Sequence, residues 1–293
     1  MKTSQYFDPK TTKFPYPEIT DKHYLVVKKN RGIVFDENYP YIDKSKGFLF
    51  KRWLVRVLLI LIVFPLVKIR LGLKVINKKT LKVHKNEIAN GVIGVSNHVH
   101  MWDYLGVLRS IKPIKPYILS WATNINGENA TLIRMVGGIP VPDDNYRGQL
   151  TFMKTIKDLL TVEKGWLHIC AEGSMWEYYA PIRPLKRGAA TFAVRFNKPI
   201  IPMAYSYRKP SWIRRKIFHQ IALFTLNIGE PLYPNENIPL ENREAELTNR
   251  LHDEMVRLAH RDVNNKLYPG EFHNNKRVDY YSKEYGKGYK GSH

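Results

Sequence analysis

Short apolar segments alternate with longer segments of helical periodicity over residues 74–267, and this alternation most constrains the fold of the chain. Short apolar segments that alternate with helix-like ones are typical of strands. They predict strands at 91–96, 116–121, 166–171, 199–205 and 221–228. The intervening segments predict helices at 102–110, 146–164, 189–197 and 241–266. Strands that alternate with helices indicate an α/β domain with a central mixed sheet flanked by helices.

Three other regions complete the predicted domain organisation. Residues 1–47 are rich in Tyr, Pro, Lys and Asp and lack periodicity, so we expect an irregular N-terminal arm. Its first residues are polar and do not have the pattern of a signal peptide. Residues 48–73 form a hydrophobic helical segment, and the polar residues 268–293 are expected to form a flexible basic tail. The single cysteine, Cys170, excludes an internal disulfide and favours a reducing compartment.

The segment 48–73 has an uncharged core of 11 residues, 57–67, with arginine or lysine on both sides. A helix that crosses a bilayer needs about 20 apolar residues, so this core is short for a span. Pro65 is expected to kink a helix here. Two interpretations remain: an in-plane or re-entrant membrane anchor whose flanking cations, such as Arg52 and Arg56, reach lipid phosphates, or a buried helix.

The chain is strongly basic, with 47 Lys and Arg against 26 Asp and Glu and a formal net charge of +21. Such a charge concentrates anionic partners near the surface. The candidates are an anionic membrane surface, an acidic carrier protein, a phosphorylated substrate and nucleic acid, while a solvated basic surface without a partner is the alternative.

A histidine and a carboxylate follow the predicted strand 91–96. Ser96 and Asn97 mark the exit of the strand into a turn, and His98 and Asp103 have four residues between them. A carboxylate at the start of the next helix can fold back onto an imidazole at this spacing and fix its tautomer. The pair alone is weak, because single histidines more often lie in a turn or the core. A metal site with His100 as a further ligand is an alternative, but it lacks additional ligands downstream, and we expect no metal.

Three later segments add to this motif. Residues 137–142 are a glycine turn that leads into a short extended segment. Glu172, Gly173 and Ser174 follow the strand 166–171, where open α/β sheets place ligand contacts, and a carboxylate there can bind a hydroxyl group. Residues 199–203 combine an apolar strand with two prolines and are suited to line an acyl chain, although such a segment is more often only core. Cys170 is interpreted as a buried strand residue and not as a nucleophile.

With these four segments in order, the chain resembles the 1-acylglycerol-3-phosphate acyltransferase family of bacterial phospholipid acyltransferases over residues 73–232. Residues 186–189 and 228–232 also resemble family segments. The resemblance implies transfer of an acyl group from acyl-CoA or acyl carrier protein to a hydroxyl of a lysophospholipid or related glycerolipid, with no other cofactor. His98 would be the general base and Asp103 would orient it. The same resemblance implies that Asn97, Glu172, Gly173 and Ser174 contact the substrate.

Two departures from the family pattern concern the phosphate of the acceptor. Met175 follows Ser174, where the family usually has arginine. Asp143 and Asp144 follow Pro142, where the family usually has an acidic or small residue and then arginine. Either other cations supply the charge from shifted positions, or the acceptor lacks a phosphate monoester. The first explanation is favoured because residues 183–187 hold three cations soon after Glu172. The candidate cations are Arg147, Arg183, Lys186 and Arg187.

These patterns together predict a peripheral or monotopic acyltransferase on the cytoplasmic face of the cell membrane. Its expected partners are the lipid acceptor, the acyl donor and the anionic membrane surface, and no nucleic acid is expected. The competing class is a non-enzymatic basic protein that binds membrane or nucleic acid.

Overall fold

The computed structural model describes residues 31–142, 145–176, 178–179, 182–208, 210–218, 220 and 222–259. The predicted tail 268–293, most of the predicted arm 1–47 and the end of the predicted helix 241–266 lie outside these ranges. Asp143 and Asp144 lie outside them as well.

A seven-stranded mixed sheet forms the centre of the domain, in the order β1-β7-β6-β2-β5-β3-β4. All neighbouring strands are parallel except β6 and β7, which are antiparallel. The predicted mixed sheet is therefore confirmed. The strands are β1 Lys74–Ile76, β2 Val92–Ser96, β3 Tyr117–Trp121, β4 Gly138–Val141, β5 Trp166–Cys170, β6 Ile200–Arg208 and β7 Leu223–Ile228.

Helices flank the sheet, as predicted. They are α1 Lys46–Leu58, α2 Phe64–Arg70, α3 Thr80–Val83, α4 Lys85–Ile88, α5 Asp103–Ser110, α6 Ala122–Asn126, α7 Ala130–Met135, α8 Tyr146–Thr161, α9 Gly188–Phe196, α10 Trp212–Lys216 and α11 Leu240–Ala259. The four predicted helices correspond to α5, α8, α9 and α11. The end of α9 is set by Asn197, which takes a left-handed conformation with φ of 47°.

The sheet is buried on both faces because side chains alternate along each strand. In β2, Val92 belongs to one hydrophobic cluster, while Ile93 and Val95 belong to the cluster on the other side. The second cluster also contains residues of α8, α9 and α11. Strand β2 therefore lies deep in the domain, and the loop that follows it has a rigid support.

The segment predicted as a membrane anchor is helical and packs on the domain along one side. A π-helical turn, Leu59–Val63, separates α1 from α2, and Pro65 lies in the first turn of α2. The predicted disturbance of the helix thus occurs on the N-terminal side of the proline. Leu59, Phe64 and Val67 are buried, and the other side carries exposed apolar residues. Those residues are Leu49, Phe50, Trp53, Leu54, Leu58, Leu61, Ile62, Leu66 and Ile69.

Two arginines of α1 contact the domain. Arg56 donates to the carbonyl oxygens of Pro113 and Ile114 at 2.9 and 3.0 Å, and Arg52 donates to the carbonyl of Pro116. One of the two interpretations of this segment predicts that both arginines contact lipid phosphates. Among the described residues, no helix has both the length and the apolar character that crossing a bilayer requires.

Candidate active site

The site lies where β2 and β5 end side by side. These strands are parallel, and Ser96 of β2 is paired in register with Cys170 of β5. The loops that follow these strands, residues 97–102 and 171–174, therefore lie together at the carboxyl-terminal ends of the strands. Open α/β sheets bind their ligands at this end.

His98 and Asp103 form the predicted pair. The Nδ1 atom of His98 lies 2.8 Å from Oδ2 of Asp103. Asp103 is the first residue of α5 and is buried, while the His98 side chain is 30% exposed. Since the carboxylate accepts the Nδ1 proton, Nε2 of the neutral imidazole carries the lone pair. The Asp103 carboxylate thus fixes the tautomer and orientation of the His98 ring.

Asp103 remains ionised despite its burial. Burial alone would raise its pKa, but the charge and hydrogen bond of His98 and two backbone amides outweigh burial, and the net pKa is lowered. The amides of Val99 and His100 donate to Oδ2 at 2.8 and 3.2 Å. The position at the N-terminus of α5 also favours a negative charge. The Asp103 carboxylate thus places a negative charge beside the imidazole.

Asn97 connects this loop to β6 and does not face the solvent. Its Oδ1 accepts a hydrogen bond of 2.8 Å from the amide of Tyr205, and its side chain is fully buried. The hydroxyl of Tyr205 in turn donates to the carbonyl of Asp103 at 2.6 Å. Asn97, a predicted substrate contact, therefore links the loop after β2 to strand β6.

Glu172 also lies in the interior, where its carboxylate joins two segments of the site. It accepts hydrogen bonds from the backbone amide of Arg183 at 2.8 Å, the Nη2 of Arg183 at 2.9 Å and the backbone amide of His98 at 3.1 Å. Both side chains of the ion pair are only 1% exposed. The sequence had assigned Glu172 to a substrate hydroxyl, but three protein donors already occupy its oxygens. The buried Glu172 carboxylate therefore links Arg183 to the loop of His98.

Arg183 is correspondingly committed to the interior. Its Nη1 donates to Oγ of Ser174 at 2.7 Å, its Nη2 donates to the carbonyl of Ser174, and its guanidinium lies 4.5 Å from the ring centre of Trp176. The structure thus gives Arg183 and Ser174 partners within the protein instead of an exposed place for a phosphate.

The remaining predicted cations differ in position. Lys186 is exposed, its backbone amide donates to Ala171 at 2.7 Å, and its side-chain carbons run alongside Gly173. Gly173 has φ of +78°, which favours glycine, and it is exposed between the two loops. Arg187 is the exposed neighbour of Lys186. Arg147 lies at the start of α8, is 77% exposed and pairs with Glu37, so it is not joined to this cluster.

Two buried histidines near the pair were not assigned a role as bases by the sequence. Burial lowers the pKa of His168 to about 3, and its Nε2 lies 2.9 Å from Oγ of Ser96. Burial also lowers the pKa of His100 to about 4, and its Nδ1 accepts from the amide of Trp102. Both are neutral near pH 7. A polar residue within the apolar strand 166–170 was the only signal for His168.

Cys170, at the end of β5, has a pKa raised by burial. Its thiol therefore stays protonated near neutral pH, which opposes a nucleophilic role. Among the described residues, no group of three or more His, Cys, Asp or Glu is placed to hold a metal ion.

A cavity of about 290 Å³ lies between α1 and the domain, away from the His98 pair. Tyr104, the neighbour of Asp103, donates through its hydroxyl to the carbonyl of Val136, which lines this cavity. The cavity and the pair are thus connected through α5. The lining residues are Leu49, Arg52, Trp53, Arg56, Leu59, Leu108, Lys115, Pro116, Met135 and Val136.

An α/β domain that presents a histidine–aspartate pair at the end of a central strand is the arrangement that the sequence motifs predicted for an acyltransferase. Residues 73–206 match the family model described as Acyltransferase, and the predicted resemblance is confirmed for this segment. The chain is also similar to the crystal structure of the 1-acyl-sn-glycerophosphate (LPA) acyltransferase PlsC from Thermotoga maritima, with 14% identity and a TM-score of 0.44. That match covers 74% of this chain and 88% of the PlsC chain. The curated proteins contain no match to the sequence.

Proposed function

We propose that the protein is an O-acyltransferase that moves a fatty acyl group from acyl-CoA or acyl carrier protein to a hydroxyl of a lysophospholipid or related glycerolipid. The observation that carries this proposal is the His98–Asp103 pair, in which a buried carboxylate holds Nδ1 of a partly exposed imidazole. The match of residues 73–206 to the Acyltransferase family supports the same reaction class.

His98 acts as the general base in this proposal. Its Nε2 removes the proton of the acceptor hydroxyl as the oxygen attacks the thioester carbonyl, and Asp103 stabilises the imidazolium that forms. The tetrahedral intermediate then expels the thiolate, which takes the proton from the imidazolium. The products are an ester and a free thiol, and no covalent enzyme intermediate is needed. General-base action supplies about 10²- to 10⁴-fold, so alignment of the two substrates supplies much of the remaining acceleration.

Four backbone amides of the His98 loop donate hydrogen bonds within the protein and are not assigned to the oxyanion. The amide of His98 donates to Glu172, those of Val99 and His100 donate to Asp103, and that of Trp102 donates to His100. These four amides are engaged in positioning the histidine and the groups around it. Stabilisation of the oxyanion therefore falls to other groups around the site.

Lys186 is the cation we assign to a phosphate on the acceptor, with Arg187 as a second contribution. Arg183 is held by Glu172 and Ser174, and Arg147 is held at Glu37. Lys186 is exposed, and its side-chain carbons lie alongside Gly173 in the loop that follows β5. An acceptor that lacks a phosphate monoester is the alternative, and it would leave these two cations without a role in binding.

The exposed apolar side of α1 and α2 supports a place on the membrane. An apolar side with lysine and arginine at its margins is typical of helices that lie in the lipid interface. Lys51, Lys68 and Arg70 are exposed along this segment. We propose a peripheral or monotopic association with the cytoplasmic face of an anionic membrane, where the lipid acceptor is found.

A transfer assay with defined acceptors tests this function. Purified protein is supplied with labelled acyl-CoA or acyl carrier protein and, separately, with lysophosphatidic acid, other lysophospholipids and a monoacylglycerol. We expect labelled diacyl product with at least one acceptor. Failure with every acceptor and both donors, from folded protein, would instead favour the non-enzymatic basic binding protein. That class predicts binding to membrane or nucleic acid that weakens steeply as salt is raised.

A further inference from the structure

The connection between β6 and β7 exposes an unusual number of large apolar side chains. It contains the short helix α10, Trp212–Lys216, in which Trp212 is 63% exposed. Ile213, Ile217 and Phe218 are exposed as well, with Ile217 at 63%. We call residues 212–218 the 212–218 patch. Clustered apolar side chains of this size on a surface mark a contact with another apolar phase or partner.

The patch is basic as well as apolar. Arg214, Arg215 and Lys216 follow one another within α10. The sequence has no Asp or Glu between residues 178 and 229, so no carboxylate from this stretch neutralises them. The sequence between residues 44 and 86, which contains α1 and α2, likewise has no Asp or Glu. Both surfaces therefore have the same charge sign and the same apolar character.

Hydrogen bonds fix the patch against the end of α2. Nε2 of Gln220 donates to the carbonyls of Ile69 and Arg70 at 2.6 and 2.9 Å. Nη1 of Arg214 donates to the carbonyl of Ile69 at 3.2 Å. These donors satisfy carbonyl groups that the end of a helix leaves unpaired. The 212–218 patch therefore adjoins the C-terminal end of α2, where Leu66 and Ile69 are exposed.

The joined surface also lies near the catalytic loop. The ring of His100 packs edge-on against Phe224, 5.5 Å between centres, at the start of β7. The amide of Phe224 donates to the carbonyl of Leu71 at 2.8 Å. A surface formed by α2 and the patch is thus connected to the loop of His98 by direct contacts.

We propose that the 212–218 patch is a second lipid-contact surface, which inserts its apolar side chains into an anionic phospholipid bilayer beside α1 and α2. Trp212 and Phe218 enter the interface between headgroups and acyl chains, and Lys216 and the arginines contact lipid phosphates. Two contact points separated in sequence fix the orientation of the domain on the membrane. The proposal rests on the membrane association given under the proposed function, because the patch extends the surface of α1 and α2.

An acidic carrier protein is the other partner that a basic, apolar surface suits. We favour the bilayer because the patch adjoins a second apolar and basic segment, so the combined surface is larger than one short helix. Charge complementarity to anionic lipid acts over both segments at once.

Vesicle binding by the full chain tests the proposal. Co-sedimentation is measured with phosphatidylcholine vesicles that contain or lack phosphatidylglycerol, for wild type and three double variants. Ile217→Ser/Phe218→Ser changes the patch, Leu61→Ser/Ile62→Ser changes the N-terminal segment, and Val162→Ser/Leu240→Ser is the matched control at exposed sites elsewhere. Thermal unfolding checks that each variant is folded.

We expect the patch variant to bind anionic vesicles at least about tenfold more weakly. Each apolar side chain that is replaced can no longer transfer from water into the lipid. The control is expected to bind as wild type does, and transfer to a detergent-solubilised acceptor is expected to be kept. Equal vesicle binding by wild type and patch variant overturns this proposal alone. If the patch variant loses binding to carrier protein while its vesicle binding is unchanged, the proposal is also overturned. The patch is then assigned to the carrier protein. Absence of vesicle binding by wild type overturns it together with the membrane part of the proposed function, while the transfer assay tests the chemistry separately.

Discussion

Arg183 and Glu172 form a buried ion pair, with 2.9 Å between Nη2 and Oε2, and the same carboxylate accepts a hydrogen bond from the backbone of His98. The pair thus links the segment after β5 to the loop that holds the proposed base. Its burial makes it sensitive to the loss of either partner, because a single charge left in the interior is unfavourable.

Removal of the arginine is therefore expected to destabilise the fold. Arg183→Met leaves the Glu172 carboxylate without its cation, and we expect a loss of about 3 to 5 kcal/mol in the free energy of unfolding. Chemical denaturation measures this loss. Arg147→Met is the control, because Arg147 forms an exposed pair, and it should leave the denaturation curve unchanged. A change in Arg183→Met no larger than in this control would contradict the structural role of the pair.

The carboxylate of Asp103 is expected to matter for rate and not for substrate binding. Asp103→Asn keeps the size of the side chain but removes the charge that stabilises the imidazolium. We expect kcat to fall by about 10²- to 10⁴-fold with KM little changed. Steady-state kinetics at several pH values measure both constants. A variant with near wild-type kcat would show that His98 acts without this partner, or does not act as the base.

Lys186 is expected to affect phosphorylated acceptors selectively. A charge-assisted contact is worth about 1.5 to 3 kcal/mol, so Lys186→Ala should raise KM for lysophosphatidic acid by about tenfold or more. The same variant should leave KM for a monoacylglycerol unchanged. Arg195→Ala, at another exposed cation near the end of α9, serves as the control. Equal changes in KM for both acceptors would contradict the assignment of Lys186 to the phosphate of the acceptor.

Two buried histidines predict how stability depends on pH. Burial lowers the pKa of His100 from 6.5 to about 4 and that of His168 from 6.5 to about 3. Between pH 6.5 and about 4, the unfolded chain binds protons at these positions and the folded chain does not. The contribution of these histidines to the free energy of unfolding therefore has its full value above pH 6.5. It falls as the pH is lowered, by up to about 1.4 kcal/mol per pH unit for each histidine.

Denaturation curves at a series of pH values measure this dependence. His168→Gln is expected to reduce the slope in this window, because one of the two proton-binding differences is removed. A wild-type stability that stays constant from pH 6.5 to pH 4.5 would contradict the buried neutral state of both rings.

The sequence predicted the parts of the fold that depend on local pattern. Strands β2, β5 and β6 are mostly apolar runs of five, five and nine residues, and α8 has a clear apolar face, so their patterns are recognisable. Strands β1 and β4 have three and four residues and were not predicted as strands, because so few residues show no period. They form the two edges of the sheet through pairing with β7 and β3.

The site was predictable where it depends on spacing, and not where it depends on burial. His98 and Asp103 meet because a turn of fixed length leads into α5. Glu172 and Arg183 were recognised as candidates, but the sequence does not show that they neutralise each other in the interior, 11 positions apart. The same limit applies to Asn97, whose partner Tyr205 lies 108 positions away.

The most direct test is acyl transfer by His98→Ala under single-turnover conditions, with an acceptor that the wild type uses. Thermal unfolding and vesicle binding are measured on the same sample to confirm that the variant is folded and associates with lipid as the wild type does. We predict that transfer falls by about 10²-fold or more while both other properties are retained. Transfer at the wild-type rate by a folded His98→Ala protein would contradict the assignment of His98 as the base.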